Sequence, residues 1–270
     1  MSRRPLWLAL VAVPLAAALV GVVSGYLTFV RAPDNDPDEF RSDGPRPGTD
    51  TVVVAMGSSS THASASGDYV QMLRERLGGR GYEFVNAGSN GATGADLLDD
   101  LDTVVEIDPD VVTIMIGGNE ARDTGTAGVA GYRASMTRIL DRLDAETDAE
   151  VALISPQPIG EDPDTPSNRA MAHYVDALTE LAEAHDATHL PANEELAEVI
   201  AADGRAPQPD GFSFAAAYAA GFRHHILRQS WDEIAERNGY AVFTDGQHLS
   251  DTGARTVADL VEDWLTGRRN

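Results

Sequence analysis

Asp245 and His248 stand three residues apart in TDGQHLSDTGA, residues 244–254, which reads as a loop running into a helix. That spacing can bring the carboxylate against one imidazole nitrogen while the other nitrogen faces a cleft. The carboxylate then holds the tautomer and stabilises the imidazolium, and the free nitrogen can take a serine proton. A serine suited to that partner stands in TVVVAMGSSST, residues 51–61. Thr51 to Met56 read as a buried strand, the chain breaks at Gly57, and Ser59 is the candidate nucleophile; a plain turn or helix cap would use the same residues. Two more stretches follow apolar runs. NAGSNGATG, residues 86–94, carries Gly88, Gly91 and Gly94, whose backbone N–H groups can hold a phosphate or a developing oxyanion. Its G-x-x-G-x-x-G spacing is not the dinucleotide fingerprint. IGGNEARD, residues 116–123, presents Asn119, a neutral amide donor suited to an oxygen that becomes negative only in the transition state; capping of the next segment is its structural alternative. The other six histidines, His62, His173, His185, His189, His224 and His225, lack a local carboxylate-and-turn setting.

The elements that must position these residues alternate along the chain. Thr51–Met56, Tyr82–Asn86, Val111–Ile116, Val151–Ser155, Thr188–Leu190 and Tyr240–Phe243 read as strands. Tyr69–Leu77, Ala95–Ile107, Gly131–Leu143, Ser167–His185, Asn193–Ala202, Phe214–Asn238 and Asp251–Leu265 read as helices, with Asp108-Pro109 ending the second of them. Val111–Ile116, VVTIMI, is apolar throughout, as expected of a strand buried on both faces. Repeated βα units imply a parallel sheet with helices on both faces and right-handed crossovers. Ligands then bind outside the carboxyl ends of the strands, where Ser59, Gly91 and Asn119 all fall.

The chain has 270 residues, room for one catalytic domain with appendages. It has no cysteine, which excludes disulfides, thiolate metal sites and a cysteine nucleophile. The net charge is −23 and every basic residue is arginine, a surface that repels nucleic acid. Arg3 and Arg4 precede an uncharged stretch from Pro5 to Val30, long enough for an N-terminal transmembrane helix over residues 1–31, with the body on the far side of the membrane. A cleaved signal peptide with a small-residue site near Ser24 is the competing reading, and in either case the body is exported. Residues 32–49, rich in Pro, Asp and Gly, read as a linker that cannot fold alone, and residues 50–270 as the body.

Taken together in this order, Gly57-Ser58-Ser59-Ser60, Asn86 to Gly91, Gly117-Gly118-Asn119-Glu120 and Asp245-Gly246-Gln247-His248 resemble the motifs of the SGNH hydrolases, the GDSL-type esterases and lipases. The resemblance covers residues 51 to about 267. It implies a flavodoxin-like three-layer α/β/α sandwich around a central parallel sheet. It implies Ser59 as nucleophile, His248 as base, Asp245 as its orienting acid, and an oxyanion hole from the Ser59 and Gly91 N–H groups and the Asn119 side chain. No metal or organic cofactor is implied. The expected activity is hydrolysis of an acyl or acetyl ester, the substrate being a small molecule, a lipid or a glycan ester. A non-catalytic binding module of the cell envelope and an acyltransferase acting on a glycan hydroxyl are the alternatives. Ser58 and Glu120 depart from the family's two Asp positions. The segment 201–237 is longer than the family needs, and reads either as a lid or acyl-pocket wall or as a packing helix under a surface loop.

Overall fold

A computed structural model describes residues 6–267, with side chains from Pro14 onward. In chain order the elements are α1 (Leu6–Phe29), α2 (Pro37–Asp43), β1 (Thr51–Gly57), α3 (Ser59–His62), α4 (Tyr69–Leu77), β2 (Tyr82–Gly88), α5 (Gly94–Asp99), α6 (Leu101–Ile107) and β3 (Val111–Met115). Then come α7 (Gly118–Thr124), α8 (Val129–Glu146), β4 (Glu150–Ile154), α9 (Pro166–Ala184), β5 (Thr188–Leu190), α10 (Ala192–Asp203), α11 (Phe214–His225), α12 (Trp231–Asn238) and α13 (Asp251–Gly267). The five strands form one parallel sheet in the order β2-β1-β3-β4-β5. That is the flavodoxin-like order, whose switch point lies between β1 and β3.

Successive side chains of a strand point to opposite faces, and β1 obeys this strictly. Val54 and Met56 join a core with Val112, Ile114 and Leu153, covered by residues of α5, α6, α8 and α9. Val53 and Ala55 join a second core with Phe84, Met115 and Ile154, covered by α4, α10 and α13. The sheet is therefore sandwiched between two helical layers, and every residue of β3 is buried.

Four expectations about strands and helices need correction. Tyr240–Phe243 is not a strand: Phe243 makes only an isolated antiparallel bridge with Leu249, because the chain doubles back there and Thr244 N donates to His248 O. The helix expected over Ala95–Ile107 is two, α5 and α6, meeting at Asp100. Phe214–Asn238 is also two, α11 and α12, because Ser230 starts a new helix with a capping box to Glu233. The transmembrane helix is not supported: among the described residues no helix is long and apolar enough to cross a membrane. The expected span falls partly outside them, since Arg3 and Arg4 and the side chains before Pro14 are not described. What is described of α1 packs on α11, with Tyr218 Oη donating to Gly21 O at 2.8 Å and with Ser24 and Thr28 buried.

Residues 32–49 do not behave as a free linker. Phe40 of α2 is buried in the first core. Asn35 Nδ2 donates to Phe84 O at 2.7 Å, and Asn86 N donates to Asn35 O at 3.0 Å. Glu83 accepts from Arg46 N, Arg46 Nε and Thr49 Oγ1. A polar, Pro-rich segment cannot bury enough surface by itself, but β2 is a sheet edge with unpaired backbone groups, and this segment satisfies them.

One cap has a pH consequence. Asp68 accepts from Gln71 N at 2.8 Å at the start of α4. Burial, helped by the nearby Asp34 charge, pushes its carboxyl up from 3.8 to about 6. The folded state thus holds this proton more tightly than the unfolded chain. The stabilisation is complete below pH 3.8 and is lost as pH rises through about 6. Asp68→Asn keeps the capping oxygen and removes the charge. Its melting temperature should fall less than the wild type's between pH 4 and 7; parallel melting curves for the two proteins would show that Asp68 titrates normally.

Candidate active site

The strand ends build the site. β1 stops at Gly57 and α3 begins at Ser59, so Ser59 sits at the carboxyl edge of the sheet, beside the switch point. The glycine is needed for close approach rather than for an unusual φ: a Cβ on Gly57 would collide with Thr61, and one on Gly88 with the backbone of His62. α3 is thereby pressed onto the ends of β1 and β2. Of the three serines, only Ser59 faces the histidine. Ser60 is buried and accepts from Gln157 Nε2 at 2.7 Å, and the Ser58 carbonyl accepts from Thr61 N and His62 N.

The last loop comes to Ser59 from 189 residues away. His248 Nε2 lies 3.0 Å from Ser59 Oγ, and His248 Nδ1 lies 2.7 Å from Asp245 Oδ2. Asp245 Oδ1 accepts from the backbone N–H of His248 at 2.9 Å and of Gln247 at 3.0 Å. A carboxylate only accepts, so Nδ1 carries the imidazole proton and Nε2 is left as the acceptor for the serine hydroxyl. Burial acts to raise the Asp245 carboxyl. The facing His248, by charge and hydrogen bond, and the two loop N–H groups outweigh burial, and hold it below its ordinary value.

Opposite the histidine stand the loop 86–94 and α7. Asn86 Nδ2 donates to Thr61 O, Gly88 N donates to Asn86 Oδ1, and Ser89 N donates to Gly57 O, which ties the loop to the Ser59 turn. Asn119 Nδ2 donates one hydrogen to Ala92 O at 2.8 Å, and its second N–H has no partner among the described residues. Asn119 is the second residue of α7 and not its cap, which is Gly117. Ser59 opens its helix and Gly91 lies in the loop; neither N–H is taken by a backbone carbonyl among the described residues. Gly91, Asn119, Ser59 and His248 line one cavity of about 440 Å³, with Asn90, Arg122, Asp123, Phe29, Phe212 and Phe214 also in its wall.

Glu120 stands where the motif resemblance would place the shorter Asp, and its side chain reaches the neighbouring loop. Its Oε1 accepts from Gly94 N at 2.6 Å, so the longer side chain clamps the loop 86–94 to α7. Burial pushes this carboxyl up, against the opposing pull of the Gly94 N–H, and Oε2 has no hydrogen-bond partner among the described residues.

Sequence reasoning passed over the residues that hold the donors. Gln247 Nε2 donates to Asn119 Oδ1 at 3.2 Å, and Arg122 Nη1 donates to Gln247 Oε1 at 2.7 Å. Arg122 is held in turn by both carboxylate oxygens of Asp123 and lies 5.1 Å from the centre of the Phe212 ring. Gln247 fell between the two conspicuous letters of its motif, and a neutral amide carries no spacing signal. His224 stacks on Trp231 at 4.0 Å, a structural role. Among the described residues no three His, Asp or Glu side chains gather as a metal site would require. The segment 201–237 divides: Phe212 and Phe214 form cavity wall, whereas Ala217 and Ala220 pack against Trp231 and Ile234.

Comparison with known proteins agrees with the fold. The profile of the GDSL-like Lipase/Acylhydrolase family matches residues 54–255. No curated protein matches the sequence to a significant degree. Among solved structures, the fold is similar to that of an acetyl xylan esterase, AlAXEase, with a TM-score of 0.57 and 20% identity, covering 79% of this chain and 98% of that one. It is also similar to Axe2, an acetylxylan esterase from Geobacillus stearothermophilus, with a TM-score of 0.56 and 19% identity, covering 79% of this chain and 93% of that one.

Proposed function

The chain belongs to the GDSL-like lipase/acylhydrolase family, whose members hydrolyse carboxylic esters, and from that premise we propose that it cleaves an acyl or acetyl ester through an acyl-enzyme on Ser59. The observation that carries the proposal is the unbroken line Asp245–His248–Ser59, with bonds of 2.7 and 3.0 Å. In this reading Ser59 Oγ attacks the ester carbonyl as its proton passes to His248 Nε2. The oxyanion is met by the Ser59 and Gly91 N–H groups and by the second Asn119 amide hydrogen. Collapse expels the alcohol, which takes the proton from His248. Water, activated by the same nitrogen, then releases the acid and restores Ser59. Asp245, ionised because its pKa is depressed, stabilises the imidazolium in both halves.

The structural neighbours act on acetylated xylan, and an acetyl ester of a glycan is one substrate this reading accommodates. Transfer of the acyl group to a glycan hydroxyl, and a binding role without catalysis, are the other readings. The test is a fluorophosphonate probe with the full chain. Covalent labelling at Ser59, together with turnover of p-nitrophenyl acetate, is expected. A folded chain that neither labels nor turns over would leave the binding module standing.

Residues 1–31 are proposed, on sequence grounds, to direct the body across a membrane. Arg3 and Arg4 precede an uncharged stretch to Val30, and Leu15, Leu19, Val22 and Val23 are exposed. Fractionation of producing cells with an alkaline carbonate wash checks this. Full-length protein in the washed pellet indicates retention, and a shortened protein outside the cell indicates cleavage. Full-length protein in the cytoplasm would overturn export.

A further inference from the structure

The cavity beside Ser59 is far larger than an acetyl group, and its apolar wall comes from two places remote in sequence. Phe212 stands edge-on to the His248 ring, with centres 5.5 Å apart, and Phe214 stands edge-on to Phe212 at 5.8 Å. Phe214 is 79% exposed, at the rim. Phe29, the last residue of α1, also lines the wall. It is held there by Asn90 Nδ2, which donates to Phe29 O at 3.0 Å, and by packing against the cluster of Ala217, Ala220 and Trp231. Phe29 lies before the stretch that matches the family, residues 54–255.

The Arg122 guanidinium is shared between Asp123 and Gln247 and faces Phe212, so it is not a spare anchor for an anionic substrate. Three phenyl rings in a concave site that opens onto the nucleophile make a surface for an apolar chain.

We propose that Phe29, Phe212 and Phe214 form a subsite for an apolar chain attached to the scissile ester, and that Phe29 makes the N-terminal helix part of substrate selection. The proposal rests on the serine-esterase reading for what is bound, but its test does not depend on turnover. The chain is carried either by the acyl group or by the alcohol, and the two substrate series below separate these.

Full-length Ser59→Ala is titrated with p-nitrophenyl acetate and p-nitrophenyl hexanoate, and with ethyl acetate and hexyl acetate. In at least one series the longer ester should bind about tenfold more tightly than the shorter one, since each buried methylene adds to the transfer free energy. Adding Phe29→Ala or Phe214→Ala should remove most of that preference. Phe214 is exposed, so its variant guards against a loss that merely reflects misfolding around Phe29. Equal binding of long and short esters in both series, or a preference that survives both substitutions, would overturn the subsite. If wild-type chain turns over no ester while the preference in binding persists, the serine-esterase reading falls and the subsite stands. Turnover without the preference removes the subsite and leaves the serine esterase in place.

Discussion

Ser59→Ala lowers kcat for p-nitrophenyl acetate by about 10⁴-fold or more, the scale set by removing one member of a serine triad. The side chain has one described partner, His248 Nε2, and the loss of one hydroxyl leaves no large void. Melting temperature and the circular dichroism spectrum should therefore match the wild type. His248→Ala should cost a similar factor, and the double variant little more than either single one, because the two groups move one proton between them. A Ser59→Ala protein that keeps more than a tenth of wild-type activity would assign the nucleophile elsewhere. Ser60 is an implausible substitute, since it is fully buried and accepts from Gln157.

Asn119→Ala lowers kcat by about 10²- to 10³-fold with a small change in KM, as expected for a donor that meets charge only in the transition state. Asn119 is buried, and two groups lean on it: Ala92 O loses a donor and Gln247 Nε2 loses an acceptor. Each orphaned group costs about 1–3 kcal/mol of stability, so turnover must be read per folded molecule. Gln247→Ala separates the two roles. It leaves the Asn119 donor in place but frees the amide to turn, and should cost about tenfold in kcat. Equal kcat for wild type and Asn119→Ala, at equal folded fraction, would remove Asn119 from the proposed oxyanion hole.

An experiment with only the body, starting near Asp50, would have seemed natural from the composition of residues 32–49. The structure argues against it. Such a chain lacks Phe40 in the core, the Asn35 bonds to the edge of β2, and Phe29 in the cavity wall. The whole described chain is the unit to study.

The sequence by itself determined the five strands of the parallel sheet, though it added a sixth at Tyr240–Phe243, because burial on two faces leaves a local trace: VVTIM of β3 is buried at every position. It also marked Ser59, Gly91, Asn119, Asp245 and His248 as candidates, since each stands near where such a run ends or in the last loop. It showed the Asp245–His248 pairing as a spacing, because three residues in a tight loop already limit the geometry. Only the tertiary structure decided what depends on residues far apart. The 3.0 Å approach of His248 to Ser59 crosses 189 residues. The reach of Glu120 to Gly94, the Gln247 brace on Asn119 and the place of Phe29 all depend on how the helical layers close over the sheet. Amides and phenylalanines have no spacing rule of their own, and a polar segment such as 32–49 looks unstructured until the sheet edge it covers exists. Periodicity is a property of neighbours in the chain, whereas a cavity is a property of the closed fold.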